Sequence, residues 1–193
     1  MARHDLSAQI GSRICHDLIS PLGAIGNGLE LLEMTGVGNS PELDLIRDSV
    51  ATANARVRLF RIAFGSAIPG QRMSGSEVTQ ALSGLGERKV AINWTAPPDI
   101  ERAEARLLLL CLMCAETMMP LGGVVDVTLD PPCLSMSAER FRTEPDFVRP
   151  LTDPTAETEP SMIHFACARD AAAALGRSIA LIPGPGRMMM RVG

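Results

Sequence analysis

The sequence predicts an α+β chain. An N-terminal antiparallel helical hairpin, paired with a second copy into a dimeric four-helix bundle, precedes an α/β sandwich with a largely antiparallel sheet. Three observations carry this. Apolar residues recur at helical spacing over about the first sixty positions. A stretch rich in Gly, Ser and Pro, SAIPGQRMSGS, then breaks the pattern. Beyond it, short alternating runs take turns with helical ones. The boundary is placed near Pro69, which gives a hairpin over residues 1–68 and a sandwich over 69–193.

The first helix is read from Leu6 to about Met34, where Leu6, Ile10, Ile14, Leu18, Pro21, Ile25, Leu29 and Leu32 keep to one broad stripe. TGVGNSPE interrupts it, and Ser40 followed by Pro41 reads as an N-cap with proline at the first helical position. The second helix carries Leu43, Ile46, Val50, Ala53, Val57 and Phe60 and stops at Gly65. So short a loop makes the helices antiparallel, and a lone hairpin cannot cover both stripes. A homodimer is the economical solution.

In the second part, Ser74 and Glu77 resemble a capping box opening a short helix to about Leu82, and KVAINW alternates like a strand. Asp99 is expected to cap a helix reaching Met118, which Gly122 and Gly123 end. VVDVTL and CLSMSA read as strands turning at Asp130, Pro131 and Pro132. Arg140–Glu159 is a polar loop with some helix, and a last helix runs from about Ser161 to Leu175. SIALI and RMMMRV then flank the turn Pro183-Gly184-Pro185-Gly186.

Composition narrows the function classes. At 46% apolar, the chain can bury a core. Eighteen basic against 22 acidic residues give a net charge of -4 with no basic block, which argues against nucleic acid as a partner. Aromatic residues make up 3% and Tyr is absent, so base stacking has little to work with. The polar start MARHDLSAQ lacks a secretory core, and no run approaches ~18 apolar residues. A cytoplasmic protein with no membrane partner is expected. Five cysteines in apolar surroundings suit reduced core thiols. Cys111 and Cys114, one helical turn apart without a second pair, read as such thiols and not as metal ligands.

The informative segment is HDLISPLGAI, His16 to Ile25. His16 lies off the apolar stripe, so its ring reaches solvent. Exposed imidazoles titrate near neutrality and serve as nucleophiles at cytoplasmic pH. Asp17 can accept the other ring N–H, fixing the tautomer. Pro21 costs roughly 3 kcal/mol in an ordinary helix interior, and Gly23, Gly26 and Gly28 up to ~1 kcal/mol each. A helix so poor in good formers beside one exposed histidine serves something other than stability. Ile19, Ser20, Gly23 and Asn27, on or next to the His16 face, read as a docking surface for a partner helix. His4 falls in a terminus expected to fray, and His164, near the start of the last helix, reads as structural.

His16-Asp17-Leu18, Pro21-Leu22 and Ala24-Ile25 resemble the H-box of sensor histidine kinases, whose dimerisation hairpin carries a phosphorylated histidine, an adjacent acid and this proline. In the wording CHDLISPLGAIGNGLELL and in length, the chain is more similar still to ChpT-type bacterial histidine phosphotransferases. The resemblance implies a hairpin followed by a degenerate version of the kinase ATP-binding domain. In that domain the helix before a Gly-Gly pair carries asparagines and a basic residue for Mg-ATP. Counted back from Gly122 and Gly123, those places fall on Leu110, Cys114 and Thr117, none of the expected type. The glycine-rich lid box is missing too, since Ala138–Thr158 contains no glycine.

The resemblance therefore implies a histidine phosphotransferase, not an ATP-dependent kinase. His16 passes phosphoryl groups between response-regulator receiver domains, those of a hybrid histidine kinase and of a downstream regulator. It implies no cofactor of the chain's own, no ATP, and Mg²⁺ supplied by the partner receiver. The alternative is a non-catalytic protein that docks on and inhibits a kinase or receiver.

Overall fold

The computed structural model describes residues 6–35, 40–83, 89–95 and 97–193. Two helices come first, α1 (Leu6–Met34) and α2 (Pro41–Ala63), and α1 continues through Pro21. The Ser40 hydroxyl accepts the Leu43 N–H at 3.3 Å, and Pro41 supplies an N–H-free first position. The helices run antiparallel. Glu33 near the end of α1 pairs with Arg47 near the start of α2, while a Cβ on Gly11 would lie 3.3 Å from both Cβ and the carbonyl oxygen of Phe64, the C-cap of α2. A side chain there would press on the end of α2, which would have to give by a few tenths of an ångström.

The stripe read along α1 divides in the structure. Cys15 and Leu29 are buried, on the same side as Gly11, whereas Ile10, Ile14, Leu18, Ile25 and Leu32 stay exposed, Ile14 at 54%. At about 100° per residue, Ile14, Ile25 and Leu32 lie some 70° round the helix from Gly11, Cys15, Leu22 and Leu29, with Leu18 between the two lines. The hairpin seals one of these two lines. Leu45 and Ile46 of α2 are exposed as well.

The remaining elements are β1 (Arg72–Ser74), α3 (Gly75–Ser83), β2 (Val90–Asn93), β3 (Asp99–Glu101), α4 (Arg102–Met118), β4 (Gly123–Leu129), β5 (Pro132–Ser137), the single turn α5 (Pro145–Val148), α6 (Ile163–Ala174), β6 (Ile179–Gly184) and β7 (Arg187–Val192). Five strands form one sheet in the order β2-β4-β5-β7-β6. Its β2–β4 pair is parallel and its other pairs antiparallel. Leu107 to Leu112 of α4, Phe165 and Ala168 of α6, and Val125, Leu134, Met136, Met188 and Met190 of the sheet join in one core. RMMMRV alternates exposed and buried, an ordinary half-buried strand. Gly122 has φ +92, and a Cβ there would meet the Lys89 carbonyl oxygen at 2.2 Å, while Gly123 N–H donates to that oxygen at 3.1 Å. The glycine pair thus lets the chain leave α4 and enter β4 beside β2.

Asp99 does not cap α4. It opens β3, which pairs antiparallel with β1, and its carboxylate is ion-paired with Arg72. The N-cap of α4 is Glu101, without a side-chain hydrogen bond. Pairing with β1 holds Asp99 extended, and strands of three residues are too short to show an alternation in sequence. The Ser74–Glu77 reading is met in modified form. Glu77 Oε2 accepts the Ser74 N–H at 3.3 Å, and the Ser74 hydroxyl accepts the Ser76 N–H at 3.1 Å.

The hairpin is fastened to the second part at the end of α2, where helical carbonyls lack intrahelical donors. Arg102 donates to the carbonyl oxygens of Ser66 at 2.8 Å and Arg61 at 2.7 Å, and Arg106 to that of Ala63 at 3.3 Å. Ala55, Leu59, Ile62 and Ala63 belong to the same buried cluster as Val78 and Leu107.

Candidate functional site

α1 presents His16 on a face turned about 160° from Ile14, and its side chain is 81% exposed. Nδ1 lies 3.4 Å from Asp17 Oδ1, while Asp17 Oδ2 accepts from Arg13 Nε at 2.9 Å. The contacts to His16 first, and to Arg13 second, hold the Asp17 carboxyl below the usual carboxylate range. With the proton on Nδ1 directed at Asp17, the Nε2 lone pair points outward. Among the described residues nothing bonds to Nε2. The Nδ1–Asp17 contact is at the long end for a hydrogen bond.

Ser20, Gly23 and Asn27 fall within about 40° of the His16 direction, and Ile19 within about 60°. Ser20 and Asn27 are exposed, Ile19 and Gly23 half-buried. A Cβ on Gly23, Gly26 or Gly28 would meet nothing within 4 Å. The surface around the imidazole is therefore low and open. Arg13, which the motif leaves unmentioned, is the residue that sequence reasoning missed; its signal is a basic residue one turn before the acid, at i,i+4 spacing.

The other candidates lie elsewhere. His4 is outside the described residues. His164 is 7% exposed, and desolvation pushes its imidazole down to about 4. The Thr117 hydroxyl donates to the Met113 carbonyl at 2.9 Å, so the 3.0 Å contact with His164 Nε2 is completed by the ring's N–H. Neutral and bonded, His164 is structural. Cys111 and Cys114 are fully buried, and burial pushes the Cys111 thiol up to about 12 and that of Cys114 up as well.

The three places where nucleotide ligands are expected hold Leu110, wholly buried; Cys114, whose Sγ lies 3.7 Å from the His164 carbonyl oxygen; and Thr117, already bonded to His164. None offers an oxygen or amide free to hold a metal. A nearby cleft of about 400 Å³ is lined by residues including Arg56, Phe60, Lys89, Met113 and Thr117, but by none of α1. His16 thus stands on an open helix face and not in a cavity, so the rest of any reaction centre must come from whatever docks there.

The family model for the histidine phosphotransferase C-terminal domain matches residues 75–185. The protein phosphotransferase ChpT of Brucella abortus (strain 2308) is 36% identical over 169 residues, covering 83% of this chain and 80% of that protein. In fold, the chain is similar to a bacterial phosphotransferase solved at 1.7 Å, with TM-score 0.65 and 23% identity over 100% of this chain and 98% of that one. It is also similar to full-length ShkA in complex with AMPPNP, at TM-score 0.50 and 16% identity over 96% of this chain and 45% of that one. An exposed histidine on a helical hairpin, followed by a sheet layer that the family model matches, places this chain among the histidine phosphotransferases.

Proposed function

We propose that the chain relays phosphoryl groups between the aspartates of response-regulator receiver domains through His16. The observation that carries the reading is the 81% exposed His16 ring with Nδ1 turned to Asp17 and Nε2 open to solvent. The Nε2 lone pair attacks phosphorus of an aspartyl phosphate in line. The N–P bond forms as the P–O bond breaks, and its electron pair leaves on the receiver's carboxylate. The ring becomes an imidazolium whose Nδ1–H stays on Asp17, and a second receiver aspartate reverses the step. Charge on the moving group is offset by the receiver's own Mg²⁺ and basic residues. This chain supplies nucleophile, orientation and a docking surface that includes Ile19, Ser20, Gly23 and Asn27.

Two further features belong to the proposal. The exposed line of Ile10, Ile14, Leu18, Ile25 and Leu32 supports a homodimer, since such a face is otherwise left in water. Leu110, Cys114 and Thr117 support a chain that uses no ATP. The test is incubation with a radiolabelled phospho-receiver. Wild type is expected to gain acid-labile, base-stable label and His16→Ala none, with unchanged fold. Binding of the receiver without label would favour an inhibitor instead.

A further inference from the structure

We propose that Arg13 is a positioning residue for the transfer chemistry: by holding Asp17 Oδ2 it directs Oδ1 onto His16 Nδ1 and so keeps the Nε2 lone pair available. The inference rests on the relay reading for its context, and on two contacts among three residues of one helix for its content. Arg13 Nε lies 2.9 Å from Asp17 Oδ2, and Asp17 Oδ1 lies 3.4 Å from His16 Nδ1. A carboxylate engaged at one oxygen by a guanidinium is biased towards the rotamers that keep that contact, and in these its second oxygen faces His16. The alternative account, that the pair stabilises α1, is poor. Both side chains are exposed, and a base preceding an acid at i,i+4 is the less favourable order along a helix.

The relay gives this contact a purpose. A phosphoryl group that arrives on Nε2 leaves the ring positively charged, and Asp17 offsets that charge only while its oxygen faces Nδ1. Arg13 also draws electron density from the same carboxylate, which limits how strongly Asp17 holds the ring proton. The histidine then remains a leaving group as well as a nucleophile.

Arg13→Gln, Arg13→Lys, Asp17→Asn and the double variant Arg13→Gln/Asp17→Asn of the full chain separate these ideas. Phosphoramidate is the donor, because it needs no docking surface: Nε2 attacks phosphorus, the donor P–N bond breaks, and its electron pair leaves with ammonia. Phosphohistidine is followed by ³¹P NMR. Arg13→Gln is expected to slow its formation by about two- to fivefold, the bias an exposed ion pair can impose. Arg13→Lys should recover part of the rate. In the Asp17→Asn background the Arg13→Gln change should add no further loss, since one residue acts through the other. In the free chain, ¹⁵N spectra should show the Nδ1–H form of His16 losing ground in Arg13→Gln. Additive losses, or an unchanged tautomer balance, would overturn the assignment. If no wild-type phosphohistidine forms from this donor, the ¹⁵N comparison by itself decides the role of Arg13, and the relay reading is decided separately by labelling from the phospho-receiver.

Discussion

A histidine that takes a phosphoryl group from one carboxylate and gives it to another needs a free lone pair on one nitrogen and a settled proton on the other. In the proposed relay, Asp17 beside His16 Nδ1 and an open Nε2 serve these two needs within a single turn of α1. Asp17→Asn keeps an oxygen that can accept the Nδ1–H but removes the charge opposite the imidazolium. Transfer from a phospho-receiver should slow at least about tenfold with receiver affinity unchanged, as stopped transfer assays over a range of receiver concentrations would read. An unchanged rate would remove Asp17 from the mechanism. At His164 the chemistry concerns folding. Its folded-state value of about 4 lies below the ordinary 6.5, so between those pH values the unfolded chain binds more protons than the folded one. The contribution is fully present above about pH 6.5 and fades as pH falls towards 4, by about 3 kcal/mol in all. Urea midpoints of wild type should therefore fall from pH 7 to pH 4.5 more steeply than those of His164→Gln; parallel curves would contradict the assignment.

Among the elements, the helices were the most legible in sequence and the smallest strands the least. Leu6–Met34 and the Ser40–Pro41 start could be read because each is written in local residues: a long periodic run, a hydroxyl and a proline. β1 and β3 exist through their mutual pairing across 27 positions of chain, and no window of three residues contains that information. For the same reason the local sequence makes Asp99 resemble a cap and carries no sign of the Arg102 and Arg106 contacts with α2. Within the candidate site, His16 and Asp17 were legible as a motif, whereas Arg13 acquires meaning only once the helix turns its guanidinium onto Asp17. The periodicity of α1 predicts one apolar face, whereas the structure has two, a distinction that depends on which line α2 covers. The uncovered line gives a prediction at this scale. Ile14→Asp places a charge at the centre of the proposed bundle and should convert a dimer to a monomer at micromolar concentration, with helix content kept. Sedimentation showing an unaltered dimer, or a monomeric wild type, would contradict the bundle.

Over the whole molecule, the proposal that the chain uses no ATP rests on three positions of α4, Leu110, Cys114 and Thr117, which are apolar or already bonded. Calorimetry with Mg-ATP should show no specific heat even at millimolar nucleotide, because Leu110 and Cys114 are sealed in the core and Thr117 already has partners. A micromolar, Mg²⁺-dependent constant would move the chain towards the kinases. What the sheet layer does provide is fixity. Arg102 and Arg106 clasp the end of α2, and Leu59, Ile62 and Ala63 sit in the core that α4 and the sheet complete. An enzyme that must carry its own nucleotide to its own histidine needs a swinging joint; a chain with one shared core has none to swing. On the proposed relay, turnover is then paced from outside, by how often loaded and empty receivers collide with α1. In a cell, the speed of such a relay is adjusted by the abundance of its partners and not by any internal clock.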